Sequence, residues 1–342
     1  MPDTSQVQPV NFPLQGGLVL NKSTFAMQPG EALELQNFEP DIQGGYRRIN
    51  GFSKLVTNIV PQTSASTEAV LLSIKFNDKI VAARGEKIFT ATAGNNSWTE
   101  IDNSRSSAGV YDFEVYNFDG NDKFIVVDGN NDPTIFNTSF TASDVNPSST
   151  GTGSSTNLLV AIGSGDTLTG SGSHTITVKD TSQFASTGSL LIGDEQFTYT
   201  GKTATTFTGV TRAQNSSVAA DHAVADFVFD LFPPDVQGAK FVTAFKDHMF
   251  YAGMSTNKQT IVFSVPFIEN NFNVAIGGGS IRVDDTIVGL KVFRQDLFIF
   301  CENRIFKLSG SSVSDFSVTP VTRDIGCVNG QTIQEFAGDL IF

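Results

Sequence analysis

Apolar and polar positions along this chain follow a unit that returns about every 45 residues. In each copy an apolar strand runs into a short polar turn and a second apolar strand. After a break comes a third strand, ending in an aromatic residue or an Ile-Phe pair. One copy reads Leu71-Leu72-Ser73-Ile74-Lys75-Phe76, the turn Asn77-Asp78, Lys79-Ile80-Val81-Ala82-Ala83, then Lys87-Ile88-Phe89-Thr90. A second runs from Tyr111-Asp112-Phe113-Glu114-Val115-Tyr116 through Lys123-Phe124-Ile125-Val126-Val127 to Thr134-Ile135-Phe136. A later one reads Ile287-Val288-Gly289-Leu290-Lys291-Val292, the turn Arg294-Gln295-Asp296, Leu297-Phe298-Ile299-Phe300, then Arg304-Ile305-Phe306-Lys307-Leu308. Val242 to Phe250 and Thr332 to Ile341 begin the same way. A four-stranded unit of this length cannot bury its own faces, so it must stack on its neighbours, and radial stacking gives a β-propeller. Sustained helical periodicity is absent, which makes the expected class all-β.

The period breaks once. Phe113 and Val242 hold equivalent first-strand positions but stand roughly 130 residues apart, leaving an insertion of about 84 residues after one repeat is allowed for. Ser, Thr and Gly dominate from Thr138 to Asn157, a composition that predicts a flexible linker. Beyond it lie short, Gly-punctuated apolar runs: Thr175 to Val178, Ser189 to Gly193, Glu195 to Gly201, Thr206 to Arg212 and Ala223 to Val228. These predict a small β domain inserted into a blade-connecting loop, where exposed, neighbouring chain ends tolerate insertion. The expected organisation is an N-terminal strap at residues 1–60 and blades one and two at 61–140. The inserted β domain with its linker follows at 141–230. Blades three and four, and the start of the next, occupy 231–342. Within the strap, Met27 to Phe38 predicts one helical turn after Pro29-Gly30, with Leu33, Leu35 and Phe38 seeking a core. Gly44-Gly45-Tyr46-Arg47-Arg48-Ile49-Asn50-Gly51-Phe52 predicts a strand closed by an Asn-Gly turn. The chain reaches Phe342 in the second strand of a blade just begun, so the propeller is expected to be incomplete at its C-terminal end and the natural chain to continue, since an unpaired Phe-rich edge invites aggregation.

Composition narrows the function classes. Phe supplies 30 of the 342 residues, against 5 Tyr and 1 Trp, which suits sheet-on-sheet faces where a purely apolar ring needs no hydrogen-bond partner. Formal net charge is −13, the opposite of what neutralising a phosphate backbone demands, so binding to DNA is not expected, although passage of DNA is compatible. Cys301 and Cys327 give neither a disulfide framework nor a zinc spacing and are read as small core residues. No Sec signal precedes Gly17, and no run approaches the ~20 apolar residues of a spanning helix, so the product is expected to be soluble and made in the cytoplasm.

Candidate chemistry is sparse. His174, His222 and His248 are scattered, and no G-x-S-x-G, H-E-x-x-H, P-loop or Rossmann fingerprint is present, so no catalytic role and no cofactor is implied. The Asp-rich turns Asp119-Gly120-Asn121-Asp122 and Asp128-Gly129-Asn130-Asn131-Asp132 carry oxygen ligands of the kind Ca²⁺ takes, but they fit ordinary hairpin chemistry better. Asn95-Asn96-Ser97-Trp98 is similar to the turn-plus-Trp of sialidase-like propellers, occurs once and lacks that motif's Asp. Tyr46, Arg47 and Arg48 form the densest positive charge in an acidic chain and are the candidate partner contacts.

Leu14-Gln15-Gly16-Gly17-Leu18, Met27-x-Pro29-Gly30-Glu31-Ala32, Asn37-Phe38-Glu39-Pro40 and the Gly44 to Phe52 segment together resemble the N-terminus of virion structural proteins of short-tailed phages. These include the tail nozzle (tail tubular protein B-like) and tail hub proteins. The insert also resembles a phage module, through Phe184-x-x-x-Gly188-x-Leu190-Leu191-Ile192-Gly193-x-Glu195, Tyr199-x-Gly201 and Gly209-Val210-x-Arg212. The resemblance implies a propeller that assembles as a homo-oligomeric ring, usually a hexamer, below the portal and adaptor proteins. DNA would pass through that ring without sequence-specific binding, and the location would be the virion. A propeller that binds or cleaves glycans at a host surface is the competing reading.

Overall fold

The computed structural model describes residues 16–41, 45–51, 53–62, 68–145, 151–166 and 174–342. The chain divides into two compact units, Met1–Leu55 and Val56–Phe342.

The second unit holds four antiparallel four-stranded sheets, each wound in sequence order. Blade one is Val70–Phe76, Lys79–Arg84, Lys87–Thr92 and Thr99–Asp102; blade two is Asp112–Tyr116, Lys123–Val127, Thr134–Phe136 and Ala142–Asp144. Blade three is Phe241–Phe245, His248–Ala252, Thr260–Phe263 and Gly279–Arg282; blade four is Ile287–Phe293, Asp296–Cys301, Ile305–Ser309 and Ser317–Thr322. The near-continuous apolar runs of the second strands are explained by burial on both faces. In blade two, Phe124 and Val126 pack with Leu72, Ile74 and Phe76 of blade one, while Ile125 and Val127 pack with Val242, Met249 and Tyr251 of blade three. Blade three repeats the arrangement: Phe250 and Ala252 turn to Leu297, Ile299 and Cys301 of blade four. Face against face, these sheets make a propeller-like stack. The hairpin Gln334–Phe336/Asp339–Ile341 and Ile333 begin to cover the far face of blade four, where Phe300, Ile305 and Cys327 are buried. Gly330 permits this approach, since a Cβ there would lie 2.1 Å from the Val288 carbonyl oxygen.

Between blades two and three, Ser155–Asn157, Phe227–Asp230, Gly188–Ile192 and Glu195–Tyr199 form one sheet, and Thr175–Thr177, Thr206–Thr208 and Gly201–Lys202 another. They enclose a core of their own that includes Leu158, Ile176, Phe184, Leu190, Phe197, Tyr199, Phe207 and Val228. Gly209 sits at φ +61° with the Thr200 hydroxyl 2.0 Å from where a Cβ would stand, so this motif position accepts glycine alone. At the base, the Gly151 N–H donates to Pro233 O (3.0 Å) and the Gly153 N–H to Phe232 O (3.2 Å).

Several expectations are corrected. The flexible linker expected at Thr138 to Asn157 contains the outer strand of blade two, Ala142–Asp144, which ends two residues before the part of the linker (146–150) that lies outside the described residues. Blade two therefore runs past residue 140, because Ser143 and Asp144 complete a ladder with Ile135 and Thr134. The linker's other end, Ser155–Asn157, is a strand of the insert. In the first unit, no helical turn occupies Met27 to Phe38. A single 3-10 turn stands earlier, at Thr24–Ala26, and Glu31–Ala32 pairs in parallel with Gly17–Leu18. Gly30, at φ +92°, reverses the chain there, and Leu33 and Phe38 remain exposed. The strand at Tyr46–Arg48 exists but pairs backward with Phe38–Pro40, and among the described residues Asn50-Gly51 closes no hairpin with a following strand. Leu14, Gln15, Gly44 and Phe52 of the resemblance motif lie outside the described residues.

Both flanks of the insert return to one place: the Val145 N–H donates to Pro133 O (2.7 Å), and the Gly238 N–H to Asn131 O (3.0 Å). Replacing residues 146–234 with a short Gly/Ser linker should therefore leave a soluble protein that melts cooperatively, which circular dichroism and calorimetry would show. Loss of all soluble protein would contradict this separation.

Candidate functional site

The inner strands of blades two, three and four converge on a cleft of about 380 Å³, closed on one side by the turn Gly330–Thr332. Asp112, Lys240, Lys291, Gln331 and Gln334 supply its polar lining. An inner strand leaves one row of backbone groups without a strand partner, and here side chains supply the acceptors. The Val242 N–H of blade three donates to Asp112 Oδ2 of blade two at 3.1 Å. Two residues along, Glu114 lies against the Thr243 side chain and the Ala244 N–H, both of which favour its charged form. The alternation Asp112-Phe113-Glu114 thus puts two carboxylates on the face that meets blade three, against the free amides of the next inner strand. Burial pushes the Asp112 carboxyl up to about 6, against the pull of the Val242 and Phe113 N–H groups and Lys291. Burial, and then repulsion from Asp112, pushes Glu114 up to about 7, opposed by Thr243, Ala244 and Lys291.

A second buried network lies inside the insert. Arg212 donates to both oxygens of Glu195 (Nε to Oε1 and Nη2 to Oε2, each 2.8 Å), and His222 Nε2 stands 2.8 Å from Oε2. The Ala213 and Ala220 N–H groups also donate to this carboxylate, and Arg212 donates to Gly163 O and Ala220 O. The His–carboxylate pair resembles half of a catalytic triad, but Glu195 is 1 % exposed and its oxygens are filled by donors from two stretches, 212–213 and 220–222, of the connection between Thr206–Thr208 and Phe227–Asp230. Despite burial, these hydrogen bonds, led by Arg212, pull the Glu195 carboxyl down to about 2. The network pins loops, and Glu195 and Arg212, two residues of the insert's sequence motif, are its centre.

The other sequence candidates fall into separate places. Arg47 is matched across the first unit's hairpin by Glu39 (Nη2 to Oε1, 2.8 Å), and Tyr46 stacks edge-on against Phe38 at 5.5 Å. Arg48, exposed, points from the opposite face of the strand to Arg47. Asp128 accepts from the Ser106, Asn130 and Asn131 N–H groups, and Asp119 pairs with Lys123 at 2.9 Å. Among the described residues no group of three His, Cys, Asp or Glu is placed to hold a metal ion. Trp98 Nε1 donates to Asn58 O (2.9 Å). His248 is buried beside Phe250, Phe263 and Phe316, and desolvation lowers its pKa. His174 is half-buried within the insert. Cys301 and Cys327 are buried free thiols, and burial pushes Cys301 up to about 12. Sequence reasoning missed the Asp112–Glu114 pair; its signal was two acids at alternate positions of a first strand whose counterparts in blades one and three carry no acid.

No family model and no curated protein matches the chain. Among solved structures it is similar to PorZ, a bacterial surface component of the type-IX secretion system of Porphyromonas gingivalis (8% identity, TM-score 0.30, covering 76% of this chain and 29% of that one). A chain of the mitotic checkpoint complex (13% identity, TM-score 0.24, 82% and 90% covered) and a WD40 domain of Neurospora crassa (7%, 0.17, 67% and 71%) also match. The chain thus spans under a third of PorZ. At such scores the matches add nothing to what the strand order already gives. Among the described residues no helix is long and apolar enough to cross a membrane.

The inner-strand carboxyls fix a pH dependence. Raised pKa values mean that their contribution to stability is complete below the unfolded carboxylate range, near pH 4, and is lost as pH rises through 6 to 7. Asp112→Asn and Glu114→Gln keep the accepting oxygen without the charge. The double variant should match the wild type below about pH 4 and exceed it near pH 8 by about 1–2 kcal/mol, discounted for partial exposure. Urea melts at the two pH values measure this, and comparison with the wild type cancels His248, whose lowered pKa acts in the opposite sense. Equal differences at both pH values would contradict it.

Proposed function

We propose that the chain is a virion structural protein of a short-tailed phage, a nozzle or hub subunit of the tail, that forms a homo-oligomeric ring, hexameric in the usual arrangement, around the DNA exit path. Portal and adaptor proteins are its partners, and its role is architectural, with no catalysis.

The observation that carries this reading is the motif segment itself. Asn37-Phe38-Glu39-Pro40 and Gly45-Tyr46-Arg47-Arg48 fold as the two strands of one hairpin, tied by the Phe38–Tyr46 and Glu39–Arg47 pairs. Part of the segment that carries the resemblance thus folds as one hairpin, which supports reading it as a unit. Charge supports the reading from another side: at −13, a ring of such subunits repels the duplex passing through it. Arg48, exposed on the hairpin, remains the candidate contact to an acidic partner. The competing glycan reading has its own observation in the exposed aromatic face of the insert, taken up below.

Electron microscopy and mass photometry of the purified protein test the assembly: rings are expected, and a monodisperse monomer under all conditions would contradict it. Binding to duplex DNA at about 150 mM salt should be weak, because non-specific affinity rests on phosphate neutralisation. Tight retention of DNA in a filter assay would count against the channel role.

A further inference from the structure

The insert's larger sheet has one face in its core and one face turned outward. Thr156, Val228, Ile192 and Glu195 form a register row on the inner side; Ser155, Phe229, Leu191 and Gln196 form the adjacent row on the outer side. Directly paired residues share a face, so this outer row runs hydroxyl, aromatic, aliphatic, amide across four strands. Its two ends differ. Leu191 and Gln196 form the floor of a cleft of about 330 Å³ between the insert and blade three. Phe229, and Phe227 beside it, lie open at 40 % and 59 % exposure, with ring centroids 5.7 Å apart and planes 25° from parallel.

The cleft walls are of two kinds. On one side is the turn Val274–Ile276 of blade three, with Ile276 exposed and the turn fixed to the insert's base by the Val274 N–H donating to Leu231 O (3.1 Å). On the other is the loop carrying Asn215, Ser216 and Ser217, with Asp194 at the rim. In that loop Ala213, Asn215 and Ser216 hold φ of +56°, +51° and +66°, a concentration of left-handed non-glycine residues that costs on the order of 1 kcal/mol each and collects at functional sites. The buried Glu195 network holds the strain in place through the Ala213 N–H bond at 3.2 Å. Asn215 Nδ2 donates to Gln196 Oε1 (2.8 Å), and among the described residues neither Gln196 Nε2 nor Asn215 Oδ1 has a partner.

We propose that this cleft and the adjoining aromatic row bind a neutral oligosaccharide. The apolar C–H face of a pyranose ring lies on Phe229, which pairs with Leu191 at the cleft, and Phe227 extends the same platform. The neighbouring ring enters the cleft, where Gln196, Asn215, Ser216 and Asp194 offer directed donors and acceptors to its hydroxyls. An apolar surface bordered by fixed amides and hydroxyls matches a ring that is apolar on its faces and polar at its edge. The cleft's one charged side chain is acidic, as is the whole chain, which selects against sulfated or uronic sugars. This site does not depend on ring assembly, and the outcomes of the two tests are separable.

The test is saturation-transfer NMR and calorimetry on the full chain with soluble neutral hexasaccharides of gluco-, galacto-, manno- and N-acetylglucosamino-configuration. At least one should bind with a Kd on the order of 0.1–1 mM. Phe229→Ala and Asn215→Ala should each weaken that binding at least tenfold with unchanged melting, while Phe229→Tyr, which keeps the stacking face, retains it. Silence across all four configurations overturns the proposal, as does binding that survives Phe229→Ala. A change of oligomeric state in Phe227→Ala/Phe229→Ala, with no sugar bound by the wild type, would show that the face meets a second copy instead.

Discussion

A four-stranded antiparallel sheet with apolar side chains on both faces has no stable existence alone, and this constraint organises the protein. Phe124 and Ile125 are neighbours in sequence, both fully buried, yet belong to different cores. Blades two, three and four are each therefore a shared wall that completes the core before it and begins the core after it. The cost of that arrangement appears at the inner strands, whose outward amides have no strand to meet. Asp112 and Glu114 meet two of them from the adjacent blade. Blade two is thus joined to blade three by apolar packing along the faces and by carboxylate–amide bonds at the edge. The second joint carries a desolvation cost that the packing must offset.

The insert solves the same problem differently. It is too small to rely on stacking, so two short sheets enclose one core, and a saturated ion pair ties the loops around it. Glu195 and Arg212 exchange two hydrogen bonds in a setting where leaving either one alone would cost about 3–5 kcal/mol. That network also holds the strained loop beside the outer cleft. Stability and the proposed sugar site are therefore linked through one carboxylate: its inner contacts fold the module, and the loop it anchors shapes the outer wall.

The repeat was legible because the blades' second strands are buried on both faces and so read as unbroken apolar runs; Lys123 to Val127 and Leu297 to Phe300 stand where the pattern placed them. The outer strands were less legible. Ala142–Asp144 and Ser317–Thr322 are short or exposed, carry Ser, Thr and Pro, and are held by backbone pairing, which leaves no periodicity to read. Ser/Thr/Gly richness was taken for flexibility at residues that in fact close a sheet. In the candidate site, Asp112 and Glu114 were visible as interruptions of an apolar strand, but their partners, Val242 and Ala244, lie across the insertion and contribute only backbone. No sequence pattern marks an unpaired amide.

Residue-resolved hydrogen exchange at the Val242 and Ala244 amides, in the wild type and in Asp112→Ala/Glu114→Ala, tests most directly the claim that side-chain carboxyls seal the inner strand edge between blades. The account expects both amides to be protected to the level of the blade-three core in the wild type and to lose protection selectively in the variant. Exchange in the wild type as fast as in an exposed loop, or protection unchanged by removing both carboxyls, would contradict it.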